Sequence, residues 1–102
     1  MLLNAFSANM LTDFPSSVTF DELTIEQARA DARNRASAVG HADTAAVFAA
    51  VLDLPVPANR TTVTLQKGDS ALLGQYIGPR LPEGATTLPE GATIRWLLVK
   101  VD

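Results

Sequence analysis

The stretch IRWLLVKV, residues 94–101, decides the fold of this chain. Its β-branched, aromatic and aliphatic residues predict a long and mostly buried β-strand. A hairpin is predicted before it in the chain. Its strands are the alternating residues 61–66 and residues 70–77, and KGD at 67–69 forms the tight turn between them. The last third of the chain is therefore predicted to be rich in β-structure.

Two further strands are predicted near the start of the chain. Met1–Phe6 is short and apolar, as in a buried strand, and residues 17–23 alternate, as in an edge strand. Strands at both ends with helices between them indicate an α/β (α+β) fold, in which helices cover one mixed, five-stranded sheet. With 102 residues, the chain is predicted to form a single domain, residues 1–102.

Two main helices are predicted between these strands. The residues TIEQ at 24–27 form a capping box that begins a helix through about Arg35. Ile25 is its only large apolar side chain, so we expect this helix to lie on the surface. The second helix extends from about Asp43 to Leu52, with an apolar stripe, and prolines follow it.

The composition excludes several kinds of site and location. The chain has no cysteine, which excludes disulfides, thiolate metal sites and a cysteine nucleophile, and fits a cytoplasmic location. No basic region precedes the apolar start of the chain and no apolar run is long enough to span a bilayer, so we expect no signal peptide and no membrane partner. A net charge of −3 argues against binding to long nucleic acid, and a polyanionic ligand would have to be small.

His41 is the only histidine, and it follows Gly40 where the second helix is predicted to begin. It is either a helix-terminal residue packed against the sheet or a general acid beside a phosphate, which helix N-termini bind well. One histidine, no cysteine and no HxH or DxD spacing leave no ligand set for a metal, so no metal or other cofactor is expected.

Arg80 and Glu83 lie in the loop GPRLPEG at 78–84, which its prolines stiffen. The two residues form either a surface ion pair, which stabilises little, or a phosphate site in which Arg80 binds the anion and Glu83 orients Arg80 or handles a proton. LPEGA occurs at residues 81–85 and again at 88–92, which we attribute to drift within a loop.

Four uncharged polar residues are further candidates. Asn4, Ser7 and Asn9 follow the first predicted strand, where they could contact a ligand or only form a turn and a helix cap. Gln75 is polar within an apolar strand, either exposed at an edge or facing a pocket.

Several of these stretches together resemble one family. LNAFSANMLT at 3–12, SAVGH at 37–41, Asn59-Arg60 before a segment ending in KGD at 67–69, and RLPEG at 80–84 are similar, in this order, to the viral type III anti-CRISPR ring nucleases. That family comprises small proteins of archaeal viruses and bacteriophages, with relatives encoded beside bacterial type III CRISPR systems. The similarity covers Leu2 to about Ala85, whereas residues 86–93 are shorter than the corresponding segment of the family.

The resemblance implies a homodimer that binds cyclic tetra-adenylate across its two-fold axis, since a ring of four identical nucleotides can share that symmetry. It also implies metal-independent cleavage, in which a ribose 2′-hydroxyl attacks the neighbouring phosphate and shuts off type III CRISPR signalling. His41 would then be the general acid, Arg80 would stabilise the phosphorane and Glu83 would assist. The implied substrate-binding residues are Asn4, Ser7, Asn9, Arg60 and Gln75.

Two alternatives remain open at this point. A protein that sequesters a cyclic nucleotide with little or no cleavage would carry the same binding residues. A structural or regulatory viral protein would use the polar residues only to form turns, and would be monomeric without affinity for nucleotides.

Overall fold

One mixed four-stranded sheet forms the centre of the fold in the computed structural model, which describes residues 1–102. The strands are β1 (Leu2–Leu3), β2 (Val18–Leu23), β3 (Ser70–Ile77) and β4 (Thr93–Val101), and the helices are α1 (Ile25–Ala32) and α2 (Ala42–Leu52). A short 3-10 helix, Ala8–Met10, follows β1. The predicted α+β class is confirmed.

The sheet order is β1-β3-β4-β2, with β1 parallel to β3 and the other pairs antiparallel. The strand predicted from residues 94–101 is β4, which pairs with β3 from Ser70↔Lys100 to Ile77↔Thr93 and with β2 on its other side. The long apolar run therefore occupies an interior position of the sheet, as its composition requires.

The predicted fifth strand, residues 61–66, is wrong, and so is its hairpin with β3. Val63 and Leu65 are buried, as the alternation indicates, but the backbone pairs only at one bridge, where the Leu65 amide donates to the Met10 carbonyl at 2.6 Å. Both edges of β3 are already occupied by β1 and β4. The turn at 67–69 does form, and the Gln66 amide donates to Asp69 Oδ2 at 2.8 Å.

The first strand is also shorter than predicted, because it ends at Leu3 rather than Phe6. Phe6 instead packs its ring edge-on against Phe20 of β2, with centroids 5.5 Å apart. The residues after Leu3 thus leave the sheet to cover one of its faces.

Helix α1 begins with the predicted capping box. The Gln27 amide donates to Thr24 Oγ1 at 3.2 Å, and the Thr24 amide donates to Gln27 Oε1 at 2.9 Å. The helix ends at Ala32, before the predicted Arg35, and it buries Ala28 and Ala32. Its small side chains let it lie close to the sheet, so it is less superficial than expected.

Two apolar cores separate the faces of the sheet. On the helix face, α1 and α2 pack against Leu2, Leu72 and Trp96. On the opposite side, which we call the loop face, residues 6–11 and 63–65 pack against the outward side chains of β1, β3 and β4, namely Leu3, Ala71, Leu73, Leu97, Val99 and Val101.

Candidate functional site

Three parallel segments end at one side of the sheet, which we call the carboxyl edge. Residues 36–38 run beside β1, where the Leu2 amide donates to Ala36 and the Ala38 amide donates to Leu2, at 2.8 and 2.9 Å. Strand β1 in turn runs parallel to β3. The segments leading to His41, Asn4 and Arg80 therefore emerge on the same side, the position where α/β sheets most often bind ligands.

His41 lies at the N-cap of α2 with an extended backbone, and its side chain makes no capping hydrogen bond. The imidazole is exposed rather than packed against the sheet. The first helical hydrogen bond runs from the Ala45 amide to the His41 carbonyl at 2.9 Å. The amides of residues 42–44 consequently have no partner within the helix, and they can bind an anion.

The loop after β3 lies against the first turn of α2. Asp43, Arg80, Leu81, Pro82 and Glu83 line an open cleft of about 470 Å³. Arg80 has no carboxylate oxygen within 4.0 Å, so the surface ion pair with Glu83 does not form. Both side chains are exposed and available to a ligand.

The two LPEGA copies form the same turn. The Ala85 amide donates to Pro82 at 3.0 Å and the Ala92 amide donates to Pro89 at 3.1 Å. Gly84 and Gly91 have φ of 79° and 80°, as the third position of a type II turn requires. The duplication is thus structural, but Arg80 precedes only the first copy, while Thr87 stands in its place before the second.

The polar cluster after β1 has a local structural role. Ser7 is the N-cap of the 3-10 helix, and its Oγ accepts from the Asn9 amide at 3.2 Å. Asn4 is half-buried where β1 ends, whereas Ser7 and Asn9 are exposed. The turn and cap expected as the alternative therefore do form, and the outward side chain of Asn9 remains free to contact a ligand.

Arg60 and Gln75 flank the carboxyl edge. A Cβ placed on Gly40 would lie 3.7 Å from the Cα and Cγ atoms of Arg60, so Arg60 lies beside the residue that precedes His41. Gln75 is exposed near the end of β3 and lies opposite Arg95 of β4.

Sequence reasoning missed Asp43, which shares the cleft with Arg80 and Glu83. An acidic residue in the first turn of a helix is explained by the helix dipole alone, so no signal singled it out. No three His, Asp or Glu side chains lie close enough together to hold a metal ion.

Comparison with known proteins agrees with this fold. A family model described as STIV B116-like matches residues 1–93. The chain belongs to the STIV B116-like family. The solved structure of B116 from Sulfolobus turreted icosahedral virus superposes on this B116-like protein with a TM-score of 0.83, at 31% identity over 97% of this chain and 96% of that chain.

A second relative also comes from an archaeal virus. The chain is 42% identical over 65 residues to uncharacterized protein 26 of Sulfolobus islandicus filamentous virus (isolate Iceland/Hveragerdi). That match covers 62% of this chain and 54% of the relative, so the chain spans about half the length of that protein. These relatives confirm a family with members in archaeal viruses. Neither helix of the B116-like protein is long and apolar enough to cross a membrane.

Proposed function

We propose that this B116-like protein is a metal-independent ring nuclease, which binds cyclic tetra-adenylate at a dimer interface and cleaves it to linear di-adenylate ending in a 2′,3′-cyclic phosphate. Loss of the ring would shut off type III CRISPR signalling. One observation carries the proposal: parallel segments bring His41, Asn4 and the Arg80 loop to the same carboxyl edge, beside an uncapped helix N-terminus.

The reaction needs only groups that this edge provides. The ribose 2′-oxygen attacks the adjacent phosphorus, and the bond from phosphorus to the 5′-oxygen breaks. His41 donates a proton to the departing 5′-oxygen, and the Arg80 guanidinium stabilises the charge on the phosphorane. Glu83 positions Arg80 or takes the proton from the 2′-hydroxyl. Binding residues at the edge align the 2′-oxygen for in-line attack, namely Asn4, Ser7, Asn9, Arg60 and Gln75.

A homodimer is part of the proposal because one protomer offers few cations to a ring with four phosphates. Two copies related by a two-fold axis present each site to opposite halves of the ring. On the loop face, Ile77 ends β3 at the carboxyl edge with 45% of its surface accessible. An apolar side chain exposed beside a polar site fits a surface that a second copy covers.

The test is incubation of the purified protein with cyclic tetra-adenylate in EDTA, followed by mass spectrometry of the products. We expect linear di-adenylate with a 2′,3′-cyclic phosphate, and a rate that falls roughly 10²–10⁴-fold in His41→Ala, as for loss of a general acid. An intact ring that co-elutes with the protein would indicate sequestration instead. An intact ring left unbound would overturn the assignment of the ligand.

A further inference from the structure

We infer that Arg95 is a further phosphate-binding residue of this site, held by Glu22 in the free protein and transferred to the ligand on binding. The inference rests on the proposed function. It begins from the register of the sheet, in which Arg95 of β4 lies directly opposite Gln75 of β3. Directly opposed residues have Cβ atoms about 4.5–5.5 Å apart and share a face.

That shared face is the loop face. Leu73 and Leu97, two residues along each strand, both pack into its core. Because side chains alternate along a strand, Gln75 and Arg95 project from the same face beyond the point where the covering loops end. Any ligand that contacts Gln75 from this side therefore lies within reach of Arg95.

The guanidinium of Arg95 is only partly engaged. Its Nε lies 3.4 Å from Glu22 Oε2, and 52% of the Arg95 side chain and 66% of the Glu22 side chain are exposed. Neither terminal nitrogen of Arg95 makes a hydrogen bond within the protein. Those two nitrogens form the fork that matches a phosphate.

Arg35 shows how a structural arginine differs. Its nitrogens donate to Asp31 and to both the carbonyl and the hydroxyl of Ser70, at 2.8 to 3.2 Å, and only 14% of its side chain is exposed. An exposed ion pair such as Arg95–Glu22 stabilises a protein little. Exchange of the Glu22 carboxylate for a phosphate therefore costs Arg95 little stability, whereas Arg35 would lose four hydrogen bonds.

Arg95 adds a third guanidinium to those of Arg60 and Arg80 at this edge. Transfer of Arg95 from Glu22 to the ligand adds one phosphate contact per protomer, and two across a symmetric dimer.

The test is the affinity for cyclic tetra-adenylate in a His41→Ala background, which keeps the ring intact, measured at several salt concentrations. Arg95→Gln is expected to weaken binding roughly tenfold or more. It should also reduce the slope of log affinity against log salt by about one for each phosphate that Arg95 neutralises. Arg33→Gln is the matched control, because it removes an exposed arginine at the end of α1 and should leave both quantities unchanged.

Glu22→Gln separates a binding role from a structural one. It breaks the same ion pair but leaves Arg95 in place, so we expect binding at least as tight as in the parent. Equal weakening in Glu22→Gln and Arg95→Gln would overturn the inference, and so would unchanged binding in Arg95→Gln. Absence of binding by the His41→Ala parent and the unsubstituted protein would instead overturn the proposed function, and this assignment with it.

Discussion

At the residue scale, the proposed site combines side chains that the sequence identifies as candidates with others that it does not. His41, Arg80 and Glu83 could be singled out from the sequence as candidates, each beside a structural alternative, and the family resemblance is what gave them roles. Asp43 and Arg95 were not singled out, since a helix dipole explains the first and a solvent-exposed strand position explains the second. Arg95 is nevertheless, with Lys100, one of two charges in a mostly apolar strand, and it is the one that lies at the Gln75 end of the strand.

The duplicated turns allow a closely matched test of Glu83. Glu83→Gln is expected to slow ring cleavage by roughly tenfold or more, because it removes either a proton acceptor or the charge that positions Arg80. Glu90→Gln makes the same change in the second turn, which has the same sequence and the same backbone conformation but no preceding arginine. Cleavage rates of both variants should be compared under single-turnover conditions.

Equal slowing in the two variants would show that the effect arises from the turns rather than from the Arg80 site. Thermal unfolding of the Glu83→Gln and Glu90→Gln variants is the control for folding, and we expect the same unfolding midpoint for both.

At the scale of elements, local signals predicted most of the secondary structure. The strand at residues 61–66 was mispredicted because strand pairing depends on distant parts of the chain. The capping box at Thr24 and the apolar stripe of α2 act within a few residues, so both helices begin close to where they were predicted. The alternation of residues 61–66 does correspond to burial of Val63 and Leu65. Alternation indicates only that one side of a segment is buried, not that the segment pairs as a strand. It cannot reveal that β1 and β4 already pair with β3, since that competition involves residues at both ends of the chain.

The packing of α2 on the sheet depends on the missing side chain at Gly74. Phe48 of α2 and Trp96 of β4 meet edge-on above this residue, with ring centroids 4.9 Å apart. A Cβ at position 74 would lie 2.5 Å from Trp96 Cζ3 and 2.6 Å from Phe48 Cζ, closer than real Cβ contacts. We therefore expect Gly74→Ala to destabilise the protein by about 1–3 kcal/mol, as overpacked cores do.

Chemical denaturation measures this change, and Phe48→Leu in the same protein tests its cause. A smaller side chain at position 48 removes one of the two clashes and leaves the Trp96 ring space to shift, so the double variant should lose less stability than the sum of the single variants. If Gly74→Ala instead raised stability, as alanine does in an unstrained strand, the steric explanation would be wrong.

At the scale of the whole molecule, the proposal requires two copies. Ile77, exposed where β3 ends at the carboxyl edge, is the apolar side chain that the second copy would cover. The position of this surface could not be derived from residue patterns, because an exposed apolar side chain is recognised only once the strand register assigns it to a face.

Ile77→Glu is expected to weaken the dimer by roughly tenfold or more, since a two-fold axis introduces the buried charge twice. Light scattering over a range of protein concentrations measures the dissociation, and ring cleavage should fall in parallel with the dimer fraction. Ala30→Glu adds the same charge to an exposed position of α1, on the other side of the sheet, and should change neither. A dimer that persists in Ile77→Glu would place the interface elsewhere.

The parallel pairing of β1 with β3 has a consequence for the order of folding. Leu2 pairs with Leu72, so this contact closes a loop that contains both helices and β2, whereas β3 and β4 are joined only by residues 78–92. Contacts between distant parts of a chain carry the larger entropic cost and form slowly. The two-residue strand β1 adds few hydrogen bonds to offset that cost, so its docking belongs late in folding. Asn4 and the segment leading to His41 reach the carboxyl edge only at that step, and a partly folded chain would therefore have a sheet but not the assembled carboxyl edge.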